Sequence, residues 1–413
     1  MRPSRLDRQL RIEGWNQQVL ENAKIGVVGD YDLLSSLYIM STSALGINNI
    51  VVVAPCLNDR LIEIAKKINL HFSLTCVEGF YTHPSMAELF NGCNLIVDLS
   101  HYGLANKLLI EKGFRDRIPI IRGFCYEKNG EQGLKMFSYL KGREWQELEQ
   151  IISTYNLPNN HFDDGVLDII ITGVILEETK NLLMDEDVSN ELISHNRPKI
   201  KPSNHQPKIL IVGSGALGIF VGLGLAYSGF RNLTFMDPDT VEVTNLNRQV
   251  LFYNAIGKSK AKTLSTKLNT LFGIGSSAEI AYFYRNSNVE FYDVVFDCVD
   301  NFETRIVLSE KCKDQEKILI SGGTSPNAGQ VITYNPKDEG PTPAELLGMY
   351  GIVEKRHPET YQRERTACIY QPDPSVIMTN QIAAGFMVDS YRMLVDGQKP
   401  ENVFYDSTSP LKF

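Results

Sequence analysis

The feature of this sequence that most constrains its fold is an internal repeat. The apolar run KIGVVG at residues 24–29 has a counterpart in KILIVG at residues 208–213, and LIVD at residues 95–98 has one in VVFD at residues 294–297. The offset between matching features stays at roughly 184 to 211 residues, as expected for duplicated domains with different insertions. The alternative, two unrelated α/β domains, does not explain why the features keep their order.

Within each half, short β-rich runs alternate with helical patterns, which predicts an α/β fold with a mostly parallel sheet and helices on both faces. Each half ends in a long apolar segment, at residues 166–183 and 376–394. The polar, proline-containing stretch at residues 186–207 is predicted to be a linker. We therefore predict two tandem Rossmann-like domains, residues 1–185 and 208–413, that form a pseudo-dimer.

The composition restricts the class of protein. The chain has 413 residues, of which 43% are hydrophobic and 22% charged, enough for two globular domains with cores of normal size. A net charge of -8 argues against a nucleic-acid partner, and no run of about 18 apolar residues predicts a membrane span. Seven cysteines without a CxxC pair predict free thiols in a reducing compartment, hence a cytoplasmic location, and no zinc.

A glycine-rich loop marks the second half as the chemical one. GSGALG at residues 213–218 follows a predicted strand and precedes an apolar helix. Gly213, Gly215 and Gly218 would let backbone N–H groups approach a phosphate at a helix N-terminus. About twenty residues later Asp237 ends a second strand, where a carboxylate suits ribose hydroxyls. These features predict an adenine nucleotide and fit NAD and ATP equally.

The residues that follow favour a triphosphate. NLNRQ at residues 245–249 and GKSK at residues 257–260 form a polar, cationic block for which a dehydrogenase has no need. Arg248 can fork onto phosphate oxygens, and Lys260 can supply a point charge. Asp300 ends a strand at the carboxyl edge of the sheet, where it could hold Mg²⁺ on the phosphates. Taken singly, each of these side chains would also suit a surface ion pair, a solvated helix lysine or a helix cap.

Together the runs GSGALG, MDPDTVEVTNLNRQVLF, GKSKA and DCVDNFETR resemble the ThiF-type adenylation domain. That superfamily includes ubiquitin-activating enzymes and sulfur-carrier adenylyltransferases. The resemblance covers nearly all of residues 208–413 and implies an enzyme that uses ATP and Mg²⁺ to adenylate the C-terminal carboxylate of a ubiquitin-like protein. It implies nucleotide contacts from Gly213, Gly215, Gly218, Asp237, Asn245, Arg248, Gln249, Lys260, Asp300 and Asn301, with Mg²⁺ on Asp300.

The first half is predicted to have lost its site. Its loop, GDYDLL at residues 29–34, lacks two glycines and places two carboxylates where phosphates would sit, and His101 stands where the other half has Asp300. RLDRQL at residues 5–10 resembles the family's N-terminal segment, whose arginine reaches across the dimer to the partner's ATP. The resemblance therefore implies that Arg8 acts on the triphosphate bound by the second half; a helix-surface arginine is the alternative. An inactive domain paired with an active one favours the ubiquitin-activating branch.

Cys368 is the candidate for a later step. It lies in RTACIYQPDP at residues 365–374, similar to the segment that carries the nucleophile in ubiquitin-activating enzymes, and nearby cations favour its thiolate. The other six cysteines are predicted to be core or packing residues. The resemblance also implies a crossover loop at about residues 338–371, under which a substrate tail ending in Gly-Gly would thread.

Three interpretations follow. The leading one is activation of a ubiquitin-like protein, with a Cys368 thioester and transfer to a conjugating enzyme. The second is an adenylyltransferase for a sulfur carrier or peptide that stops at the adenylate. The third is an NAD-dependent enzyme or a non-catalytic scaffold.

Overall fold

Two seven-stranded sheets, one in each half, organise the chain. The computed structural model describes residues 4–31, 33–139, 151–158, 162–189, 191–201, 205–355, 373–409 and 412–413. The strands of the first sheet are β1 (Lys24–Val28), β2 (Asn49–Ala54), β3 (Ser73–Glu78), β4 (Leu95–Asp98), β5 (Ile120–Lys128), β6 (Glu131–Tyr139) and β7 (Ile193–Pro198). Those of the second are β8 (Ile209–Val212), β9 (Leu233–Met236), β10 (Ser277–Glu279), β11 (Val294–Asp297), β12 (Ile318–Thr324), β13 (Ala328–Tyr334) and β14 (Val403–Asp406).

The two sheets share one topology. Their strand orders are β3-β2-β1-β4-β5-β6-β7 and β10-β9-β8-β11-β12-β13-β14. In each, the first five strands in this order are parallel and the last two are antiparallel. The prediction of two mostly parallel Rossmann-like sheets is confirmed. In such sheets ligands bind where the strand order reverses, which here is the carboxyl edge between β8 and β11.

Helices cover the sheets, and two of them are long and almost wholly buried. The α-helices are α1 (Gln17–Asn22), α2 (Leu34–Leu45), α3 (Asp59–Ile68), α4 (Gly103–Asp116), α5 (Gly165–Met184), α6 (Ala216–Tyr227), α7 (Lys260–Phe272), α8 (Phe302–Asp314), α9 (Pro343–Leu346), α10 (Met349–Lys355) and α11 (Ile377–Val395). The two long apolar segments of the sequence are α5 and α11, which are apolar on every face because they lie inside the molecule. Among the helices so described, none has the length and apolar content that a membrane span requires.

The two halves meet through α5 and α11, which pack at unusually short range. A Cβ added at Gly173 of α5 would lie 2.6 Å from Ile382 Cγ1 and 3.0 Å from the Met378 carbonyl oxygen of α11. A Cβ added at Gly385 of α11 would lie 2.3 Å from Ile170 Cγ1 of α5. Each helix therefore uses a glycine to admit a side chain of the other, and one hydrophobic core runs through both halves.

A buried ionic cluster joins the same two halves. Asp164 caps α5, and Arg392 of α11 forks onto it with Nη1–Oδ1 and Nη2–Oδ2 distances of 2.7 Å. Arg197 of β7 donates through Nε to both carboxylate oxygens of Asp389 of α11, at 2.9 and 2.8 Å, and through Nη2 to Asp164 at 3.3 Å. Two arginines and two aspartates thus neutralise one another, with Arg392 only slightly exposed and the other three buried.

Two details differ from the sequence analysis. Residues 193–198, within the predicted linker, form β7, the outer strand of the first sheet. Its polar residues and its proline favoured a linker over a strand in the sequence. An edge strand tolerates both, because one of its sides needs no hydrogen-bond partner. The described part of the predicted crossover loop contains two short helices, α9 and α10, the first started by a capping box between Thr342 and Glu345. The domain boundaries themselves stay a prediction.

Replacing Asp389 by alanine should lower the free energy of unfolding by about 3–5 kcal/mol, because Arg197 Nε would lose both of its acceptors in a buried site and Asp164 alone would face two guanidiniums. Urea denaturation followed by circular dichroism measures the change. Glu63→Gln is the control, since it removes an exposed ion pair with Lys67 and should leave the midpoint in place. Equal midpoints for Asp389→Ala and the wild type would contradict a stabilising role for the cluster.

Candidate functional site

The glycine loop after β8 is built by close backbone contacts. Gly213 has φ +97°, and a Cβ there would lie 2.5 Å from the Cys298 carbonyl oxygen that follows β11. A Cβ at Gly218 would lie 2.1 Å from the Gly213 carbonyl oxygen. Gly215 is different: a Cβ there would have only Gln249 Nε2 within 4 Å, at 3.7 Å. Gly213 and Gly218 are therefore required for packing, whereas Gly215 leaves space above the loop.

That space lies at the start of α6, whose N-terminus carries no side-chain cap among the described residues. Two polar side chains beside it are buried without a hydrogen-bond partner in the described part of the chain. They are the hydroxyl of Ser214 and the carbonyl oxygen Oε1 of Gln249. Buried groups of this kind are rare unless a ligand or water satisfies them. Uncapped helix N–H groups, an open cradle and two unsatisfied polar groups together suit an anionic, hydroxyl-bearing ligand.

Asp237 borders the loop at the end of β9. Its Oδ2 accepts from the Ser214 N–H at 2.6 Å and its Oδ1 from the Asp239 N–H at 2.8 Å. Burial raises the pKa of Asp237, and this effect outweighs the nearby Lys260 ammonium and the two N–H donors, which lower it. Each carboxylate oxygen keeps a further lone pair that could accept a ligand hydroxyl. This position agrees with the predicted ribose contact, which stays a prediction.

The NLNRQ motif at residues 245–249 connects two short 3-10 turns, Val243–Asn245 and Val250–Phe252, and Asn245, Arg248 and Gln249 are buried there. Asn245 accepts the Glu242 N–H through Oδ1 at 2.9 Å, closing a capping box around Val243–Asn245. Arg248 donates through Nη1 to the Thr244 carbonyl at 3.0 Å and to Asn247 Oδ1 at 2.8 Å. Of the predicted contacts, Asn245, Arg248 and Gln249 therefore lie on one buried turn, which brings Gln249 next to Gly215.

Arg8 reaches this turn from the other half of the chain. Its Nη1 donates to the carbonyl oxygen of Asp373, at 2.7 Å. Burial, with a further contribution from the charge of Arg8, lowers the pKa of Arg248 to about 9, while Asp300 opposes the shift. Arg248 is therefore still charged at neutral pH. The charges of Arg8 and Asp300 thus both lie within electrostatic range of Arg248. The predicted contacts of these three residues with a triphosphate and Mg²⁺ stay predictions.

Lys260 and Asn301 begin the two helices that border the site. Lys260 opens α7, where a cation opposes the helix dipole, and its ammonium pairs with Asp239 Oδ2 at 2.8 Å. Asn301 caps α8 by accepting the Thr304 N–H through Oδ1 at 2.8 Å, so this oxygen already has a structural partner. Asp300, just before it, is exposed to solvent. Their predicted contacts with a nucleotide or Mg²⁺ stay predictions.

Sequence reasoning missed Arg305, which organises the strand ends under the site. It is buried and donates through Nη2 to the carbonyl oxygens of Val299 and Gly322, both at 2.6 Å. Its Nη1 lies 3.5 Å from Asp297 Oδ2. Arg305 thus ties the segment after β11 to β12. Its place one helical turn beyond Asn301 was the available signal, since a charged side chain on the inner face of a helix needs buried partners.

The cysteines that the structure describes are either buried or exposed. Cys368 lies outside the described residues, so its role stays a prediction. Cys298 is buried after β11, where burial raises the pKa of its thiol well above the ordinary value, in agreement with a core position. Cys56 and Cys76 are exposed, which corrects the prediction that both are packing residues. Cys76 lies on β3, an edge strand with one open side.

At the carboxyl edge of the first sheet, polar groups are paired with other groups of the chain. Asp30 is buried there and accepts N–H groups from Tyr31 at 3.1 Å and from His101 at 3.3 Å. The first N–H groups of α4 donate to backbone carbonyls of residues 155 and 156, at 2.6 and 3.0 Å. These backbone N–H groups are therefore already paired with oxygen atoms of the chain itself, in agreement with the prediction that this half has lost its site, which stays a prediction.

Comparison with known proteins gives a family and two named activities. Residues 203–407 match the model of the ThiF family. The adenylyltransferase and sulfurtransferase MOCS3 of Anopheles gambiae is 28% identical over 218 residues, which cover 51% of this chain and 46% of that protein. The molybdopterin-synthase adenylyltransferase of Haemophilus influenzae is 34% identical over 148 residues, 35% of this chain and 61% of that protein. The matches thus span less than two thirds of these relatives.

A solved structure of E. coli MccB with AMPCPP and MccA covers 49% of this chain and 61% of that one, with 18% identity and a TM-score of 0.40. A likeness this low supports no functional conclusion.

Replacing Gly218 by alanine should lower the free energy of unfolding by about 2–3 kcal/mol, because the new Cβ meets a backbone oxygen that cannot move aside. Gly215→Ala is the matched control: its Cβ has room, so the loss should stay below about 1 kcal/mol. Thermal and urea denaturation measure both. Equal losses for the two variants would show that the loop is not packed as described.

Proposed function

Since residues 203–407 form a domain of the ThiF family, we propose that this chain uses ATP to adenylate the C-terminal carboxylate of a small protein or peptide. A carboxylate oxygen forms a bond to the α-phosphorus of ATP, and the bond from that phosphorus to the β-phosphate oxygen breaks. The products are an acyl-adenylate and pyrophosphate. In such a reaction the protein mainly aligns the two reactants and neutralises charge.

One observation carries the proposal: two arginines from different halves of the chain converge beside an uncapped glycine loop. Arg8 and Arg248 lie close enough for the charge of one to lower the pKa of the other, and the Gln249 side chain next to Arg248 extends over Gly215. Like charges repel, so an anion of high charge bound beside the pair would be favoured, because it would relieve this repulsion. A nicotinamide dinucleotide has two phosphates and no comparable need for cations from a second domain, which disfavours the NAD interpretation.

The remaining residues have complementary tasks. The Asp237 carboxylate would accept the ribose hydroxyls, and Lys260 would exchange Asp239 for a phosphate oxygen when the nucleotide enters. Within the described ranges no three His, Cys, Asp or Glu side chains form a metal-binding group. Mg²⁺ does not require one, because it binds one or two carboxylates together with substrate phosphates. Asp300, exposed and close to Arg248, fits that role, in which Mg²⁺ would neutralise phosphate charge.

The names of the relatives favour an adenylyltransferase, the second of the three interpretations, over a ubiquitin-activating enzyme. The acceptor would then be a sulfur carrier or peptide, and the chain would stop at the adenylate. One observation favours the ubiquitin-like branch as a second candidate. The first half is closed at its own switch point and supplies Arg8 to the other, so a single site forms from two unequal domains. A Cys368 thioester and a conjugating enzyme belong to this second candidate.

Replacing Arg248 by alanine should reduce ATP–pyrophosphate exchange at least about a hundredfold, because the triphosphate loses a buried cation. The assay uses radioactive pyrophosphate, Mg²⁺, and a panel of small proteins and peptides with free C-termini. Arg231→Ala is the control, since this exposed arginine precedes β9 at the opposite edge of the sheet. Undiminished exchange in Arg248→Ala would overturn the site assignment. Tight binding of NAD with no exchange by the wild type would overturn the function.

Replacing Cys368 by alanine separates the two candidate acceptor reactions. If the chain forms a thioester, incubation with ATP and the substrate protein yields an adduct that is lost on reduction and absent from Cys368→Ala. If the chain stops at the adenylate, we expect no reducible adduct and equal pyrophosphate exchange in both proteins. Electrophoresis with and without reductant measures the adduct. Cys56→Ala is a suitable control, because this thiol is exposed and belongs to the closed half.

A further inference from the structure

The two converging arginines each have an amide side chain as a neighbour in the sequence, Gln9 beside Arg8 and Asn247 beside Arg248. Asn247 Nδ2 donates to Gln9 Oε1 at 3.1 Å, a contact between residues 238 positions apart. Both amides have no exposed surface. This hydrogen bond therefore joins the first half to the phosphate motif of the second half in the interior of the protein.

Both ends of the bridge are fixed by further hydrogen bonds. Gln9 Nε2 donates to the Leu45 carbonyl at 2.8 Å and to Gln17 Oε1 at 2.6 Å, which anchors it to the end of α2 and the start of α1. Asn247 Nδ2 also donates to the Ser375 carbonyl at 3.1 Å, and Asn247 Oδ1 accepts from Arg248 Nη1 at 2.8 Å. The bridge thus ends directly on the guanidinium of Arg248.

Arg8 is also held by a hydrogen bond to a backbone carbonyl of the second half. Its Nη1 donates to the Asp373 carbonyl, two residues before the Ser375 carbonyl that accepts from Asn247. The segment at residues 373–375 therefore receives hydrogen bonds from both halves of the chain. Neither Gln9 nor Asn247 carries a charge, so the bridge adds no net charge to the site.

We infer that the Gln9–Asn247 bridge is a positioning device that holds Arg8 and Arg248 at a set separation, so that both guanidiniums face one polyphosphate. The inference rests on the proposed function and adds two residues to it. Its physical basis is that two guanidiniums repel each other when no anion is bound, and an uncharged pair of buried hydrogen-bonded amides can resist that repulsion. Cations held in place before the ligand arrives lose less entropy when it binds.

The test compares binding of ATP with binding of AMP. Gln9→Met keeps the length of the side chain and removes the amide, and it leaves all hydrogen bonds of Arg248 in place. We expect the dissociation constant for ATP to rise about tenfold and that for AMP less than about threefold, because AMP lacks the phosphates that need both cations. Isothermal titration calorimetry measures both constants. Asn247→Leu should give the same pattern.

Gln381→Met is the matched control. Gln381 is also fully buried between the halves, where it accepts the Ser41 hydroxyl at 3.0 Å, but none of its described hydrogen bonds involves either arginine. It should change the two constants less than twofold. In the double variant Gln9→Met/Asn247→Leu, ATP should bind about as weakly as in the weaker single variant, since both changes break one bridge.

The outcomes separate a failure of the proposed function from a failure of the positioning role of the bridge. If the wild type binds neither ATP nor AMP, the proposed function fails. If the wild type binds ATP but Gln9→Met weakens ATP and AMP by the same factor, or acts like Gln381→Met, the bridge is only structural and the inference fails. Additive effects in the double variant would likewise overturn it. Should Asn247→Leu not fold, Gln9→Met decides alone, because the described hydrogen bonds of Gln9 join it to Gln17, Leu45 and Asn247 and not to Arg248.

Discussion

The close approach of α5 and α11 is the contact on which the rest of this structure depends. Gly173 and Gly385 admit isoleucines of the opposite helix at distances that a Cβ would forbid. The buried cluster of Arg197, Asp389, Arg392 and Asp164 then restricts how the helices can slide, since each charge has its partners at one register only. With the halves held this closely, a segment near the N-terminus can reach a pocket formed more than 200 residues later in the chain.

The duplicated halves show how one topology supports opposite outcomes at the same position. In the first half, two buried carboxylates at the carboxyl edge accept hydrogen bonds from the chain itself: Asp98 accepts from Ser100 and Asn106, and Asp30 accepts two backbone N–H groups. In the second half, the hydroxyl of Ser214 lacks a partner among the described residues and the start of α6 is uncapped, but the same holds for the hydroxyl of Ser35 and the start of α2 in the first half. The halves differ in the loop itself, where Gly215 leaves space and the first half has Tyr31. An unsatisfied hydroxyl alone therefore does not distinguish the two halves, whereas the open glycine loop does.

Much of the fold could be predicted because its signals are local. The parallel strands are short apolar runs. In the glycine loop, Gly213 and Gly218 stand where the backbone packs too closely for a side chain, so the sequence itself marks the loop. The strand β7 was missed because an edge strand need not alternate cleanly, and its residues 193–198 include a proline. α9 was missed because its four residues are too few for a periodic pattern, although Thr342 and Glu345 form the cap.

The charged residues of the candidate site could be picked out from the sequence, but the hydrogen bonds that hold them in place could not. Arg8, Arg248 and Asp300 belong to motifs, so their positions could be carried over from a resemblance. Gln9 and Asn247 act through a contact between distant parts of the chain, and no property of either local sequence specifies it. A buried amide looks the same in a sequence whether it bridges two domains or caps a turn. Such support becomes visible only when the fold brings both ends together.

The cations of the candidate site come from both halves of the chain, and this division has an electrostatic consequence. The net charge of -8 would repel a polyanion, but at physiological salt charges beyond about 8 Å are largely screened. Binding of the proposed triphosphate would then be decided by the groups nearest its phosphates, and for these we propose Arg8, Arg248 and Lys260. One of these comes from the first half and is held by contacts to both. A chain whose second half alone has folded would have the glycine loop and Arg248 without Arg8, so a complete site requires that the halves have docked.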